Sequence, residues 1–468
     1  MSISVAADAA GQPASMRLYR SVWRWHFYAG LVVVPFLIVM ALTGLVMLYG
    51  NSVETFLGAK HWVAPGGERA TLVAQSEAAL ASVPGSSLKL VVEPASPERA
   101  TVFVLDAEGK NFVVSVNPAG PAVVDVIVKD DTWFYWASNI HGTLLIGTLG
   151  DRIVEIVAGL GIVLVLTGLY MWWPRNGRTW HRAFFPNFRA RGRATWKELH
   201  VTFGFYMSIV LLFFLVSGLS WTGIWGEKMV QAWSTLPAEK YAAPPSDKTH
   251  AAMNHGALRE VSWALEQTPM PASGSHSGHQ GLPEDSPVNI DTVAAFARTI
   301  GFGEQFRINV PHKKDGVFTI SADSMDGDTS SATGDRTVHI DQYTGKVLAD
   351  IRFAQYSFAG RAMAVGIALH QGNLGPINTA LNLLFSVFVL FMCVSGVMMW
   401  WKRRPAGQVG APLYPRNFRT PAAILAITVA VCVAFPLTGL GVAFFVLVDF
   451  LLPKRLKEAN ARSDLLDT

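Results

Sequence analysis

Residues 26–49 read HFYAGLVVVPFLIVMALTGLVMLY: one histidine, then 23 residues without a charge, from Phe27 to Tyr49. The hydrocarbon core of a bilayer takes about 20 apolar residues of helix. This stretch therefore predicts a membrane span with a histidine at its start. Similar runs recur along the chain. Ile156–Trp173 has 18 uncharged residues and Val201–Gly226 has 26. From Ala362 to Trp401 there is no Asp, Glu, Lys or Arg, and the Gly- and Pro-containing start of that run places the span at Ile377–Trp401. Thr420–Val448 is a fifth apolar segment with Pro436 near its middle, readable as one kinked helix, which we prefer, or as a re-entrant hairpin. Charged residues are only 15% of the 468, against about 25% in a soluble domain. Cys393 and Cys432 both sit in apolar runs, which excludes a disulfide framework and a Cys-ligated zinc or iron–sulfur site.

Basic residues orient the bundle. Arg17, Arg20 and Arg24 precede the first span. Arg175, Arg178, Arg182, Arg189, Arg191, Arg193 and Lys197 lie between the second and third spans, and Lys402, Arg403, Arg404, Arg416 and Arg419 follow the fourth. These segments read as cytoplasmic. Residues 51–140 carry 10 acids against 6 Lys and Arg, and residues 227–370 carry 16 against 12, so both read as outer segments. With five spans the basic tail (Lys454, Arg455, Lys457) would fall outside, which favours the hairpin. The Arg-rich start and the lack of a small-residue cleavage site make the first span an uncleaved anchor.

The expected organisation is a cytoplasmic tail (1–20), spans at 21–50, 150–173, 199–226 and 377–401, a last membrane segment at 420–451 and a tail at 452–468. Cytoplasmic loops occupy 174–198 and 402–419, and outer domains 51–140 and 227–370. Each outer segment reads as a small α+β unit. The first has a helix at Thr71–Val83 and strands at Leu88–Val92, Ala100–Leu105, Asn111–Val116 and Ala122–Val128. The second has a helix at Asp291–Ile300 and strands at Gln305–Val310, Gly316–Ala322, Arg336–Asp341 and Lys346–Ile351. Residues 241–287, rich in Pro, Ser, His and Gly, read as a mobile linker. The fold class is thus an α-helical membrane bundle, a duplicated four-helix core plus one C-terminal segment, with two outer α+β domains.

The duplication rests on four histidines. His26 is followed 17 to 19 residues later by Thr43-Gly44-Leu45, and His200 at the same distances by Ser217-Gly218-Leu219. His141 precedes Thr167-Gly168-Leu169 and Met171-Trp172-Trp173; His370 precedes Ser395-Gly396-Val397 and Met399-Trp400-Trp401. Antiparallel spans put His26 and His141 on opposite faces, so the permitted pairs are His26 with His200 inside and His141 with His370 outside. A straight helix from His141 to Trp173 would be about 48 Å long, so the chain must break near Gly147 or Gly150. Two His on facing helices suit a haem iron, whose equatorial ligands come from porphyrin. A zinc ion would want more protein ligands than are near. Arg24, Arg193 and Lys197 offer cations to haem propionates. No Cys-x-x-Cys-His occurs, so attachment of the c type is excluded.

With these residues in view, the chain resembles the PepSY-associated transmembrane family of iron-regulated membrane proteins. The likeness is carried by Trp25-His26-Phe27-Tyr28-Ala29-Gly30, Leu199-His200, His141-Gly142-Thr143-Leu144 and Leu369-His370-Gln371-Gly372. It is carried also by Asp341-Gln342-Tyr343-Thr344-Gly345-Lys346-Val347-Leu348, similar to a PepSY strand–turn–strand. The resemblance implies two periplasmic PepSY-like domains, a bacterial inner-membrane location and two b-type haems. It also implies reduction of a periplasmic ferric chelate, of which a ferric siderophore is the example, by electrons from an unidentified donor. The competing reading is a non-enzymatic membrane protein whose outer domains bind a peptide or protein; a transporter ranks third.

Other candidates are Trp133, Tyr135 and Trp136, an aromatic platform for an incoming chelate or an interfacial belt, and a soft-metal set of His250, Met253, His255, Met270, His276 and His279. His61, His181, His312 and His339 have no nameable partner. Lipid is an expected partner; the basic loops are explained by topology, and no nucleic acid is expected.

Overall fold

The computed structural model describes residues 14–175, 179–233, 241–254, 260–303, 305–404, 410 and 422–451. Arg178, His255, Arg416, Arg419, most of the N-terminal tail and the tail at 452–468 lie outside them. The chain divides into two compact units, Met1–Leu42 with His141–Gly226 and Leu384–Thr468, and Thr43–Ile140 with Glu227–Leu383.

In chain order the helices are α1 (Ala14–Leu48), α2 (Gly50–Phe56), α3 (Leu72–Ser82), α4 (Trp133–Thr143), α5 (Gly147–Trp172), α6 (Trp180–Phe184), α7 (Arg193–Leu219), α8 (Ile290–Thr299), α9 (Phe358–Gln371), α10 (Pro376–Arg403), α11 (Ala422–Ala434) and α12 (Pro436–Leu451). Among the described residues, four helices (α1, α5, α7 and α10) are long and apolar enough to cross a membrane. At 1.5 Å per residue they are about 39 to 52 Å long, beyond the roughly 30 Å of hydrocarbon.

Small residues let these helices approach, as expected where lipid removes the hydrophobic drive between them. A Cβ built on Gly161 of α5 would lie 3.0 Å from Leu215 of α7, and those helices share a core of Ile162, Val165, Leu215 and Leu219. Helices α1, α7 and α10 meet around Ala41, Phe385, Val389 and Cys393, with Phe214 stacked on Phe385 at 4.2 Å.

The last apolar segment is broken, not continuous. It divides at Phe435 into α11 and α12, because Pro436 has no N–H to extend the ladder. A Cβ on Gly439 would meet Cys432 Cβ at 3.1 Å, a contact a straight helix does not allow across seven residues. Helix α12 packs on α5, where a Cβ on Gly159 would overlap Thr438 Oγ1. At about 20 and 24 Å neither helix alone spans the hydrocarbon.

Two span boundaries differ from expectation. Helix α5 begins at Gly147, not at 150 or 156, and so includes Asp151, Arg152 and Glu155. Glu155 is 2% exposed and accepts the N–H groups of Ile224 and Trp225, each at 3.2 Å; Asp151 accepts that of Gly223 at 3.2 Å. Helix α7 stops at Leu219 because the chain turns there, and the freed N–H groups find carboxylates on α5. The break expected near Gly147 falls at Leu144 and Leu145, both in the left-handed region, between α4 and α5.

The strands are β1 (Ser87–Val92), β2 (Thr101–Ala107), β3 (Lys110–Val116), β4 (Val123–Val128), β5 (Pro245–Thr249), β6 (Pro269–Pro271), β7 (Arg307–Asn309), β8 (Val317–Ala322), β9 (Arg336–Asp341) and β10 (Val347–Arg352). The eight strands of the two outer segments lie within two residues of their expected positions. They do not form two separate sheets, however. One antiparallel sheet runs β10-β9-β8-β7-β1-β2-β3-β4, joined by β1 and β7 through Leu90↔Asn309 to Val92↔Arg307. The expectation of two distinct outer domains is corrected to one fused module. Each half alone would leave β1 or β7 as a bare edge, and pairing removes both edges. The core is common too: Leu72, Val91, Phe103 and Val114 pack in one cluster with Val293, Phe306, Ile320 and Ile340. Asp291 of α8 accepts the N–H groups of Leu72 and Val73, at 2.5 and 3.2 Å, capping α3 from the other half.

The expected mobile linker at 241–287 is likewise corrected for its described residues. Strands β5 and β6 pair, and Trp263, Leu265 and His250 are buried. His279 exchanges both backbone hydrogen bonds with Val347 (2.9 and 3.1 Å), covering the outer edge of β10. The Pro/Ser/Gly composition had hidden the apolar run Val261-Ser262-Trp263-Ala264-Leu265.

Candidate functional site

His26 lies three turns into α1 and faces α5. Its Nδ1 is 3.1 Å from the Leu164 carbonyl and 3.0 Å from Thr167 Oγ1. A carbonyl only accepts, and Thr167 Oγ1 already donates to Val163 O (2.7 Å), so Nδ1 carries the proton. Neutral His26 therefore presents a bare lone pair at Nε2. His200 on α7 has the same arrangement with α10. Its Nδ1 is 2.8 Å from Ser395 Oγ, which donates to Met392 O at 2.9 Å, so Nδ1 again donates and Nε2 is left open. Both histidines are half-buried.

The glycines after these hydroxyls are explained by the same contacts. A Cβ on Gly168 would come within 3.2 Å of His26 Cε1, and one on Gly396 within 3.6 Å of His200 Cε1. The Thr-Gly and Ser-Gly pairs thus do two things at once: the hydroxyl fixes the tautomer, and the glycine leaves room at the ring. Holding one ring nitrogen by a protein acceptor while the other stays free is the arrangement that metal-binding imidazoles use.

His141 is near the end of α4, and its ring bonds the Met40 carbonyl of α1. Met40 is 14 residues beyond His26, about 21 Å along α1. His26 and His141 therefore cannot share one ion. His370 lies in the other unit, on the last turn of α9. Its backbone is held by a polar group that the sequence reading missed. Asn382 donates to the carbonyls of Leu369 (2.9 Å) and His370 (2.8 Å), Asn378 to Leu369 O (3.0 Å), and Thr379 to Gly372 O (2.9 Å). Three amides and hydroxyls in one turn of an otherwise apolar helix were the available signal. They satisfy carbonyls that every helix end leaves open.

Of the proposed propionate partners, Arg24 is buried with its guanidinium 4.9 Å above the Tyr28 ring, whereas Arg193 and Lys197 are exposed on α7. Trp133 and Trp136 on α4 are 57% and 48% exposed, and Tyr135 is half-buried. The His/Met set of the former linker does not form one cluster. His250 is fully buried on His339, Nε2 to Nε2 at 2.8 Å, while His276 and His279 lie elsewhere on the surface. His339, without a nameable partner in the sequence, thus has one. A second unforeseen group joins Asp323, Asp326 and Asp328. Arg307 pairs with Asp326 (3.1 Å) and Asp328 (2.9 Å) there and supplies the cation, while burial pushes Asp323 up to about 7.

Four membrane-capable helices, two of them (α1 and α7) carrying a histidine bonded to a hydroxyl of the neighbouring helix, together with a fused α+β module, define a polytopic membrane protein with a large extramembrane domain. The family model of the PepSY-associated TM region matches residues 23–403. The chain belongs to that family. No curated protein sequence matches it closely enough for comparison.

Proposed function

We propose that the protein is a di-haem oxidoreductase of the bacterial inner membrane, carrying electrons outward to reduce a periplasmic ferric chelate. The carrying observation is the matched environment of His26 and His200: Nδ1–H bonded to a hydroxyl, Nε2 open, a glycine beside each ring. These two histidines would hold one b-type haem through their Nε2 atoms. The haem, when bound, would supply one-electron exchange between Fe(III) and Fe(II). The chain's part is to hold each imidazole in one tautomer, to keep bulk away from its Cε1 edge, and to offer cations. Arg193 and Lys197 stand seven and three residues before His200, on its side of α7, suited to propionates.

The second pair, His141 and His370, rests on the repeated sequence pattern. The aromatic run at Trp133–Trp136 is the proposed platform for the chelate. Fe(II) holds hard oxygen ligands less tightly than Fe(III), so reduction would release iron. The electron donor enters from the basic face. Exposed Leu31, Leu42, Ile209 and Leu384 are the proposed lipid contacts.

The test is an optical spectrum of protein purified from haem-replete cells. Two low-spin b-type haems are expected, and His26→Ala and His200→Ala should each remove the same one. Dithionite-reduced protein should be reoxidised by a ferric hydroxamate chelate, and not after His141→Ala or His370→Ala. A colourless preparation would overturn the proposal. Haem without reoxidation by any ferric chelate would refute the substrate.

A further inference from the structure

A groove in the first half of the fused module is completed by one residue of the second. Its walls are residues 64–69 ahead of α3, residues 93–97 after β1 and residues 117–119 after β3. Arg298, from α8 of the other half, closes it. The groove is open to solvent and has a volume of about 310 Å³, at the lower end of the range for small-molecule sites.

At its base is Glu93, 1% exposed, whose carboxylate is bonded by Arg69 and, at 2.8 Å, by Arg298 Nη2. One carboxylate serves two guanidiniums, so the charged lining residues sum to one net positive charge. The two arginine side chains are 43% and 49% exposed, and each guanidinium has five N–H donors, most of them left for a ligand. The walls are stiff: Pro94, Pro97 and Pro118 fix their own backbone angles. Gly67, at φ +87°, brings its loop so near that a Cβ there would sit 3.2 Å from Ala119 Cβ. Buried Glu93 therefore holds two forks in place in a preformed cavity, and such forks match carboxylate geometry better than a lysine would.

We propose that this groove binds a small organic polycarboxylate, its carboxylates taken by Arg69 and Arg298. The site lies wholly in the outer unit and does not depend on haem.

Citrate is the probe, titrated calorimetrically into the full chain in detergent at low ionic strength. Saturable binding is expected, absent with the neutral trimethyl ester and weakened by added salt. Arg69→Gln and Arg298→Gln should each weaken it at least about tenfold, with Glu93 still paired to the remaining arginine to keep the module folded. Arg298→Lys should recover only part of the loss, and Glu93→Gln, which removes the carboxylate that holds both forks, should weaken binding as well. The absence of saturable citrate binding to the wild type, or wild-type affinity in both arginine-to-Gln variants with unchanged circular dichroism, would overturn the site.

Discussion

The buried pair His250–His339 makes the outer module sensitive to acid, by an amount that follows from its geometry. His250 Nδ1 donates to Thr268 O at 2.7 Å, so its Nε2 must accept; His339 Nε2 then donates at 2.8 Å, and its Nδ1 accepts from Thr319 Oγ1 at 2.9 Å. Every proton has one position and both rings are neutral. Both are fully buried, and burial, the largest cause, lowers His250 to about 4 and holds His339 well below its usual range. The folded pKa is depressed for a base, so the contribution to stability is complete above the unfolded value of about 6.5 and is lost as pH falls below it. At pH 5 the unfolded ring gains a proton with an excess of about 1.5 pH units, or about 2 kcal/mol from His250 alone. The assay is hydrogen exchange at residues 250–254 and 336–341, corrected for the intrinsic pH dependence of exchange. Opening should rise about thirtyfold between neutral pH and pH 5. The double variant His250→Gln/His339→Gln, which does not titrate, should flatten the profile. If wild-type protection is unchanged down to pH 5, the fixed-tautomer account is wrong.

Three further outcomes are expected. On the di-haem proposal, Gly168→Ala should weaken haem retention more than Gly396→Ala, because its Cβ meets the histidine at 3.2 Å rather than 3.6 Å; haem-to-protein ratios check this, and equal losses would contradict it. Asn382→Leu should free the carbonyls of Leu369 and His370 and cost about 1 to 3 kcal/mol of stability, read as a lower thermal midpoint, with Asn382→Asp recovering less than the wild type because it lacks the amide donors. Arg307→Met should lower the thermal midpoint of the module, because it leaves the buried Asp326 and Asp328 without their shared cation; a midpoint equal to the wild type would argue against that pairing.

Much was legible in the sequence, for identifiable reasons. Long charge-free runs report burial in lipid whatever they pack against, so α1, α7 and α10 were visible. Alternating Val and Ile runs set off by Gly and Pro marked the eight outer strands, because side-chain period and turn chemistry are local. The histidine-to-Thr/Ser-Gly spacing marked His26 and His200, since residues on one helix keep a constant relation. What the sequence could not supply was which surfaces meet. Pairing of β1 with β7 joins strands more than 200 residues apart, and it alone turns two expected domains into one and brings Arg298 to Glu93. The proton on Nδ1 of His26 depends on Thr167, which is 141 residues away. Leu144, Leu145 and Pro436 break their helices through backbone angles and a missing donor, whereas the lengths of the resulting pieces follow from packing. Hydrophobicity and propensity are properties of a segment and can be read along it; hydrogen-bond partners, tautomers and shared cavities are properties of two segments at once, and only the folded chain decides them.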